Sequence, residues 1–177
     1  IVEEAGETKQ QAHAELMQLR LQTASGPIYP DATFTLRLAY GTVRGVGDGA
    51  AAKRPWTTLA DLYAKVDREQ SRPPFALPEA WQAARGRLTG SEELAATPLN
   101  FISTADIIGG NSGSPIVAAD GTLVGLAFDG NIHSIAGDYW FDESMNRTVG
   151  VNTAIILEAL DTVYGAAHLV DELTVIK

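Results

Sequence analysis

The sequence predicts a mainly β domain with flanking and inserted helices. Three observations carry that expectation. From residue 99 onward, short apolar runs alternate with tight-turn signals, among them "AADGT" at 118–122. Segment 33–46, "TFTLRLAYGTVRGV", places Phe34, Leu36, Leu38 and Tyr40 on one face and Thr33, Thr35 and Arg37 on the other, a period of two. Helix-forming composition is confined to a few stretches, at 3–22, 57–70, 79–88 and 153–165.

Taken in order, "EEAGETKQQAHAELMQLRLQ" (3–22) has Ala5, Ala12, Leu16 and Leu19 near helical spacing, and "SGPIYPD" (25–31) breaks it. The strand at 33–46 follows, with Gly41 marking its end or a bulge. Residues 47–98 read as an insertion between strands, too short to bury a core of its own. It holds a helix at 57–70 that Thr57 or Thr58 would cap, a proline-rich connection "SRPPFALP", and a helix or turn at 79–88. After "NFIST" (100–104) comes a glycine-rich loop, then two apolar strands joined by the Asp-Gly turn. "RTVGVN" (147–152) reads as a further strand, and 153–165 as a helix capped by Asn152 or Thr153 and stopped by Gly165.

Composition removes several functions. The chain of 177 residues has 13 basic and 22 acidic side chains, a net charge of −9, which argues against nucleic acid and anionic membranes as partners. Its 45% hydrophobic content suits a globular domain with a core, and no apolar run reaches the length of a spanning helix. With no cysteine, disulfides, thiolate metal sites and cysteine nucleophiles are excluded. Asp106, Asp138, Asp142 and Glu143 fit no compact calcium-loop spacing, so neither metal nor cofactor is expected.

The loop "IIGGNSGSPIV" (107–117) carries the chemistry. Glycine lets a backbone turn bring its amides inward, so the N–H groups of Gly110 and Ser112 could converge as an oxyanion hole beside a Ser112 nucleophile. On spacing alone, a glycine-rich turn with an inert serine fits equally well. The Ser-Pro-apolar continuation into an Asp-Gly hairpin favours the nucleophile, because the whole stretch resembles the nucleophile region of chymotrypsin-fold serine proteases. That fold orders its triad His, Asp, Ser, yet only His13 precedes Ser112, in a polar helix pattern, while His133 and His168 follow it. The segment before Ser112 is also too short for a first barrel. The expectation is therefore the serine-bearing half of a larger protease, with the base and its orienting carboxylate upstream and the isolated chain inactive. Ile1-Val2 resembles the new terminus of an activated trypsin, but Asn111 stands where the acidic ion-pair partner would be.

A longer resemblance is specific in combination. "YPDATFTLRLAYGTV" (29–43), "STADIIGGNSGSP" (103–115), "GLAFDGNIHSIAGDYWFDESMNRTVGVNTAIILEALDTVYGA" (125–166) and "HLVDEL" (168–173) are similar to the C-terminal part of the bacterial dipeptidyl peptidase 7 / dipeptidyl peptidase 11 serine peptidases. The resemblance implies a chymotrypsin-like second β-barrel at 25–177, with the insertion at 47–98, and residues 1–24 as the last helix of an upstream helical domain. It implies release of dipeptides from free N termini in the periplasm or outside the cell. The partners would be peptide substrates and the missing N-terminal barrel and helical domain, and a homodimer is compatible. It assigns Gly130 to the pocket for the substrate's second side chain, where glycine goes with apolar or broad preference and arginine with acidic residues, and Asp129 to the substrate's ammonium. Read without it, "FDGN" is a strand-end Asp-Gly turn. Two other readings share "GNSG" or the loop: a glutamyl-type or heat-shock-type endopeptidase, and a non-catalytic protease-like binding module.

Overall fold

The computed structural model describes residues 2–23, 25, 36, 38–47, 53–137 and 140–173. Ile1, most of the 25–31 breaker, Thr33–Thr35, Arg37 and Asp138 lie outside them. The chain divides into two compact units, Ile1–Thr33 and Phe34–Lys177. The first holds helix α1, Val2–Thr23, with Arg20 in its last turn, where a cation offsets the negative end of the helix dipole. Among the described residues, no helix is long and apolar enough to cross a membrane.

The second unit is built on an antiparallel sheet. Its strands are β1 (Trp56–Thr58), β2 (Pro98–Ser103), β3 (Pro115–Val117), β4 (Leu123–Gly130) and β5 (Thr148–Asn152), in the spatial order β1-β2-β5-β4-β3. The β3–β4 connection is the expected tight turn. The Ala118 amide donates to Thr122 O at 2.8 Å, Gly121 takes φ +87, and Asp120 Oδ1 accepts from the Thr122 amide. Helices α2 (Leu59–Arg68), α3 (Glu79–Leu88), α4 (Glu92–Ala95), α5 (Thr153–Glu158) and α6 (Ala167–Leu173) flank the sheet. The helix expected at 153–165 is α5 continued by a π-helical turn at Ala159–Val163; Asn152 is its cap, accepting from the Ala154 amide, and Gly165 follows with φ +63.

Two expectations change. The period-two segment is not a strand over its described residues. Val43 makes a single antiparallel bridge to Ser103, and Leu36, Leu38 and Tyr40 are exposed. Alternation is a local property, whereas a strand also needs a neighbour along its length, which the described residues do not supply beyond Thr42–Arg44. The insertion also does more than connect strands. Although it cannot bury a core by itself, it supplies Leu59, Tyr63, Ala84 and Leu88, and Ile155 of α5 completes the cluster. Leu59 and Leu88 are wholly buried. Helices too short to stand alone thus become the lid over one face of the sheet.

α2 starts at a capping box. Thr58 Oγ1 accepts from the Asp61 amide, and Asp61 Oδ2 accepts from the Thr58 amide at 2.7 Å. Arg54 pairs with the same carboxylate. Partial burial works against ionisation of Asp61, but the Thr58 amide and hydroxyl and the Arg54 guanidinium outweigh it, so its pKa lies below the ordinary value.

Two stability outcomes follow from this packing. Leu88→Ala is expected to cost about 3 kcal/mol in urea unfolding, the transfer term plus a cavity. Asp61→Asn should cost about 1 kcal/mol at neutral pH. Because the folded carboxyl ionises at lower pH than the unfolded one, its contribution is complete above about pH 4 and is lost as pH falls through the folded value. Unfolding curves of the two proteins, measured from pH 7 down to about pH 2, should therefore converge at the acid end; a gap that stayed constant would refute the ionised box.

Candidate active site

The loop between β2 and β3 is anchored before and after the serine. At its start, the Thr104 amide donates to Thr42 O at 2.9 Å, and Thr148 Oγ1 of β5 donates to Ala105 O at 2.6 Å. At its end, the Gly113 amide donates to Ala127 O at 2.7 Å, and the Ala127 amide donates to Ser114 O at 2.9 Å, so the loop leaves as part of the sheet. Between these anchors, Ile108 and Asn111 clamp each other. The Ile108 amide donates to Asn111 Oδ1 at 3.1 Å, and the Asn111 amide donates to Ile108 O at 3.2 Å.

Ser112 sits at the corner of the next turn. The Ser114 amide donates to Asn111 O at 2.9 Å, which makes Ser112 and Gly113 the central residues, and Gly113 has φ +83. That is the arrangement of a type II turn, whose third position needs a positive φ and hence glycine. Gly110 has φ +99, on the other side of Asn111. The loop thus holds two successive turns, Ile108–Asn111 and Asn111–Ser114, and the second carries Ser112. Ser112 is exposed at its corner. Among the described residues, none accepts from the Gly110 or Ser112 amides and none hydrogen-bonds to Ser112 Oγ. His13 lies on α1, His133 in the 3-10 helix Ile132–Ala136, and His168 on α6, all exposed.

Asp129 and Gly130 end β4, the strand whose Ala127 holds the serine loop. The pairing runs Ala127 with Gly150, then Asp129 with Val149, so Phe128 is an extra residue. Side chains directly opposite each other in a ladder share a face, and a one-residue shift exchanges the faces. The bulge therefore turns Asp129 to the face of Val149 and puts Gly130 on the face of Thr148. Asp129 Oδ1 accepts from the Gly130 amide at 2.8 Å, which fixes the carboxylate at the strand end.

A residue that the sequence did not single out holds this end of the sheet. Arg147 is 2% exposed. Its guanidinium donates to five backbone carbonyls, of Arg44, Gly45, Glu143, Ser144 and Asn146, the shortest at 2.6 Å. Burial lowers its pKa and the nearby Arg44 charge adds to that, against the opposite pull of Glu143 and Asp142. Asn131 completes the frame: its amide donates to Arg147 O at 2.9 Å, its Oδ1 accepts from the Arg147 amide at 3.1 Å, and its Nδ2 donates to Met145 O at 2.7 Å. The only local signal was an arginine beginning a strand in "MNRTVGV"; its carbonyl partners reach back 103 positions, beyond any motif.

Asp142 is held by the Ser144 hydroxyl and amide, which lower its pKa. Among the described residues, no group of three or more His, Asp or Glu side chains is placed to hold a metal ion.

The Peptidase S46 family matches residues 2–175. The chain belongs to the Peptidase S46 family. It is 38% identical to the dipeptidyl-peptidase 7 of Phocaeicola vulgatus over 160 residues, covering 85% of this chain and 21% of that protein. It is 36% identical to the Asp/Glu-specific dipeptidyl-peptidase of Shewanella putrefaciens over 174 residues, covering 85% of this chain and 24% of that one. The crystal structure of Porphyromonas endodontalis DPP11 in complex with the dipeptide Arg-Asp superposes with a TM-score of 0.69 at 25% identity, over 88% of this chain and 23% of that chain. The S46 chain thus spans between a fifth and a quarter of these relatives, and its antiparallel sheet with flanking helices is a fold that DPP11 shares.

Removing the buried guanidinium would strand several carbonyls without donors. Arg147→Met is expected to destabilise the S46 chain by about 3 kcal/mol or more, read by thermal or urea unfolding; a loss under about 0.5 kcal/mol, the range of ordinary surface substitutions, would show that the cage contributes nothing.

Proposed function

We propose that the whole protein of which this chain forms part is a serine exopeptidase that releases dipeptides from free N termini, with Ser112 as its nucleophile. The observation that carries this reading is the state of the Ser112 corner: an exposed serine, with the Gly110 and Ser112 amides unclaimed by any described acceptor. Amides left unpaired at a serine and two residues before it suit an oxygen that gains negative charge only during reaction. The two S46 relatives compared above are named dipeptidyl-peptidases, which supports the same class.

In this mechanism Ser112 Oγ attacks the carbonyl of the second peptide bond while a base removes its proton. The tetrahedral oxyanion is met by the two amides. Its collapse breaks the C–N bond, and the departing amine takes the proton from the base. Water then attacks the acyl-enzyme, gives its proton to the same base, and frees the dipeptide and Ser112. We place the base and its orienting carboxylate in the part of the protein outside these residues, so the 177-residue chain alone would be inactive. The 1–24 helix would then belong to an upstream helical domain, and 25–177 to the serine-bearing barrel with its 47–98 insertion.

Asp129 is our candidate for holding the substrate's ammonium. It is exposed at the strand end, and the bulge at Phe128 directs it away from the face of Ala127. Such a fixed carboxylate makes a free N terminus part of the recognised structure, which is what separates a dipeptidyl peptidase from an endopeptidase. Gly130, next along the strand, is our candidate for lining the pocket of the second side chain, with an apolar or broad preference. Overall identity does not choose between preferences, since relatives named dipeptidyl-peptidase 7 and Asp/Glu-specific dipeptidyl-peptidase match at 38% and 36%. A periplasmic or secreted location is part of the same proposal.

The test uses the whole protein and dipeptidyl reporter substrates with free and blocked N termini. Ser112→Ala is expected to abolish turnover, by about a thousandfold or more in kcat, and blocking the N terminus should abolish it in the parent. Equal cleavage of blocked substrates would indicate an endopeptidase instead. A whole protein without turnover on either substrate would favour a binding module. Turnover by the 177-residue chain that vanished in Ser112→Ala would overturn only the assignment of the base to another segment.

A further inference from the structure

Gly130 owes its identity to space. Its φ is outside the left-handed region, so the backbone would accept other residues. A β-carbon there, however, would lie 2.8 Å from Ser134 Cβ and 3.2 Å from Ser134 Oγ. Carbon atoms in contact normally sit at about 3.5–4.0 Å, so one of the two positions has to give way.

Ser134 is poorly able to move. A serine β-carbon is not the loose end of a long side chain; it shifts only with its backbone. That backbone belongs to the 3-10 helix Ile132–Ala136, where the Ser134 amide donates to Asn131 O at 2.9 Å and the Gly137 amide donates to Ser134 O at 2.9 Å. The hydroxyl is committed as well, donating to Asn131 Oδ1 at 3.0 Å and lying 3.4 Å from Arg147 O. Asn131 and Arg147 are themselves tied by three main-chain and side-chain bonds, to each other and to Met145.

These commitments also set the chemistry beside Gly130. The serine hydroxyl is engaged elsewhere, and its β-carbon is the atom nearest to position 130. The neighbouring cation, Arg147, is buried and engaged by five carbonyls, so it has no fork to offer a substrate carboxylate. Both features favour an uncharged occupant over an acidic one.

We propose that Ser134 is a second specificity-determining residue: its β-carbon holds position 130 to glycine and thereby keeps the pocket for uncharged second side chains. This rests on the reading of Gly130 as a pocket residue. Ser134 acts through residue 130, as a positioning residue. An arginine at 130 needs room that only a glycine at 134 provides, since alanine keeps the carbon at 2.8 Å and removes only the oxygen at 3.2 Å.

The experiment uses the whole protein with Gly130→Arg, Gly130→Arg/Ser134→Ala and Gly130→Arg/Ser134→Gly. It reads kcat/KM on free-N-terminus dipeptidyl reporters with Leu or Glu at the second residue, together with the thermal midpoint. Gly130→Arg alone is expected to lower the midpoint by several degrees and to lose about tenfold or more on both substrates. Adding Ser134→Gly should restore the midpoint and shift the Glu-to-Leu ratio about a hundredfold toward Glu, whereas adding Ser134→Ala should do neither. A full shift with an unchanged midpoint in Gly130→Arg alone would overturn the role of Ser134 and leave the pocket reading standing. Three folded variants with the parent's Glu-to-Leu ratio would overturn the pocket reading and the inference with it. If Gly130→Arg does not fold, Gly130→Ala with and without Ser134→Gly reads the same steric coupling by thermal midpoint. Equal losses in those two would overturn it.

Discussion

The Arg147 guanidinium is the constraint on which the site end of the sheet depends. A buried cation needs its donors satisfied, and here that need is met by carbonyls from two places distant in sequence, Arg44–Gly45 and Glu143–Asn146. Meeting it draws both segments to the start of β5. Asn131 then joins the end of β4 to the same point. The positions of Asp129, Gly130 and Ser134 all follow from where those strand ends are held, so a buried charge sets the geometry of residues proposed to meet the substrate.

The serine loop is supported from the other side of the same ladder. Ala127 of β4 exchanges hydrogen bonds with Gly113 and Ser114, and Thr148 of β5 reaches Ala105. The proposed nucleophile and the proposed recognition residues are therefore connected through hydrogen bonds to β4 and β5. The Phe128 bulge gives β4 two functions, since residues up to Ala127 serve the sheet and the serine loop, while Asp129 and Gly130 turn to new faces. Beneath this, α2, α3 and α5 cover the opposite end of the sheet with Leu59, Tyr63, Ala84, Leu88 and Ile155, so the residues between the strands stabilise the scaffold that the loop needs.

Much of this was legible without coordinates. The Asp-Gly turn at 118–122, the strand at 147–152, the Asn152 cap and the glycines around Ser112 were readable because each is decided within a few residues, by φ preferences, side-chain caps and alternation. The turn around Ser112 was also readable, because it leaves its glycines and serine at fixed offsets; spacing alone did not assign the serine a role. The period-two segment before Val43 is different. Its alternation is real, but among the described residues of the segment only Val43 and Arg44 find partners on β2, with Thr42 bonded to Thr104 just past it, and Leu36, Leu38 and Tyr40 stay exposed.

By itself, then, the sequence determined a mainly β chain with a serine presented between glycines, no thiol chemistry and no histidine ahead of the serine except His13. The tertiary structure alone decided that the insertion would supply most of the core cluster, that Phe128 would be a bulge, and that Arg147 and Ser134 would define the end of β4. The reason is the range of the forces involved. Turns and caps are closed by neighbours along the chain, whereas a buried guanidinium, a strand register and a 2.8 Å approach between Gly130 and Ser134 depend on which distant segments have been brought together.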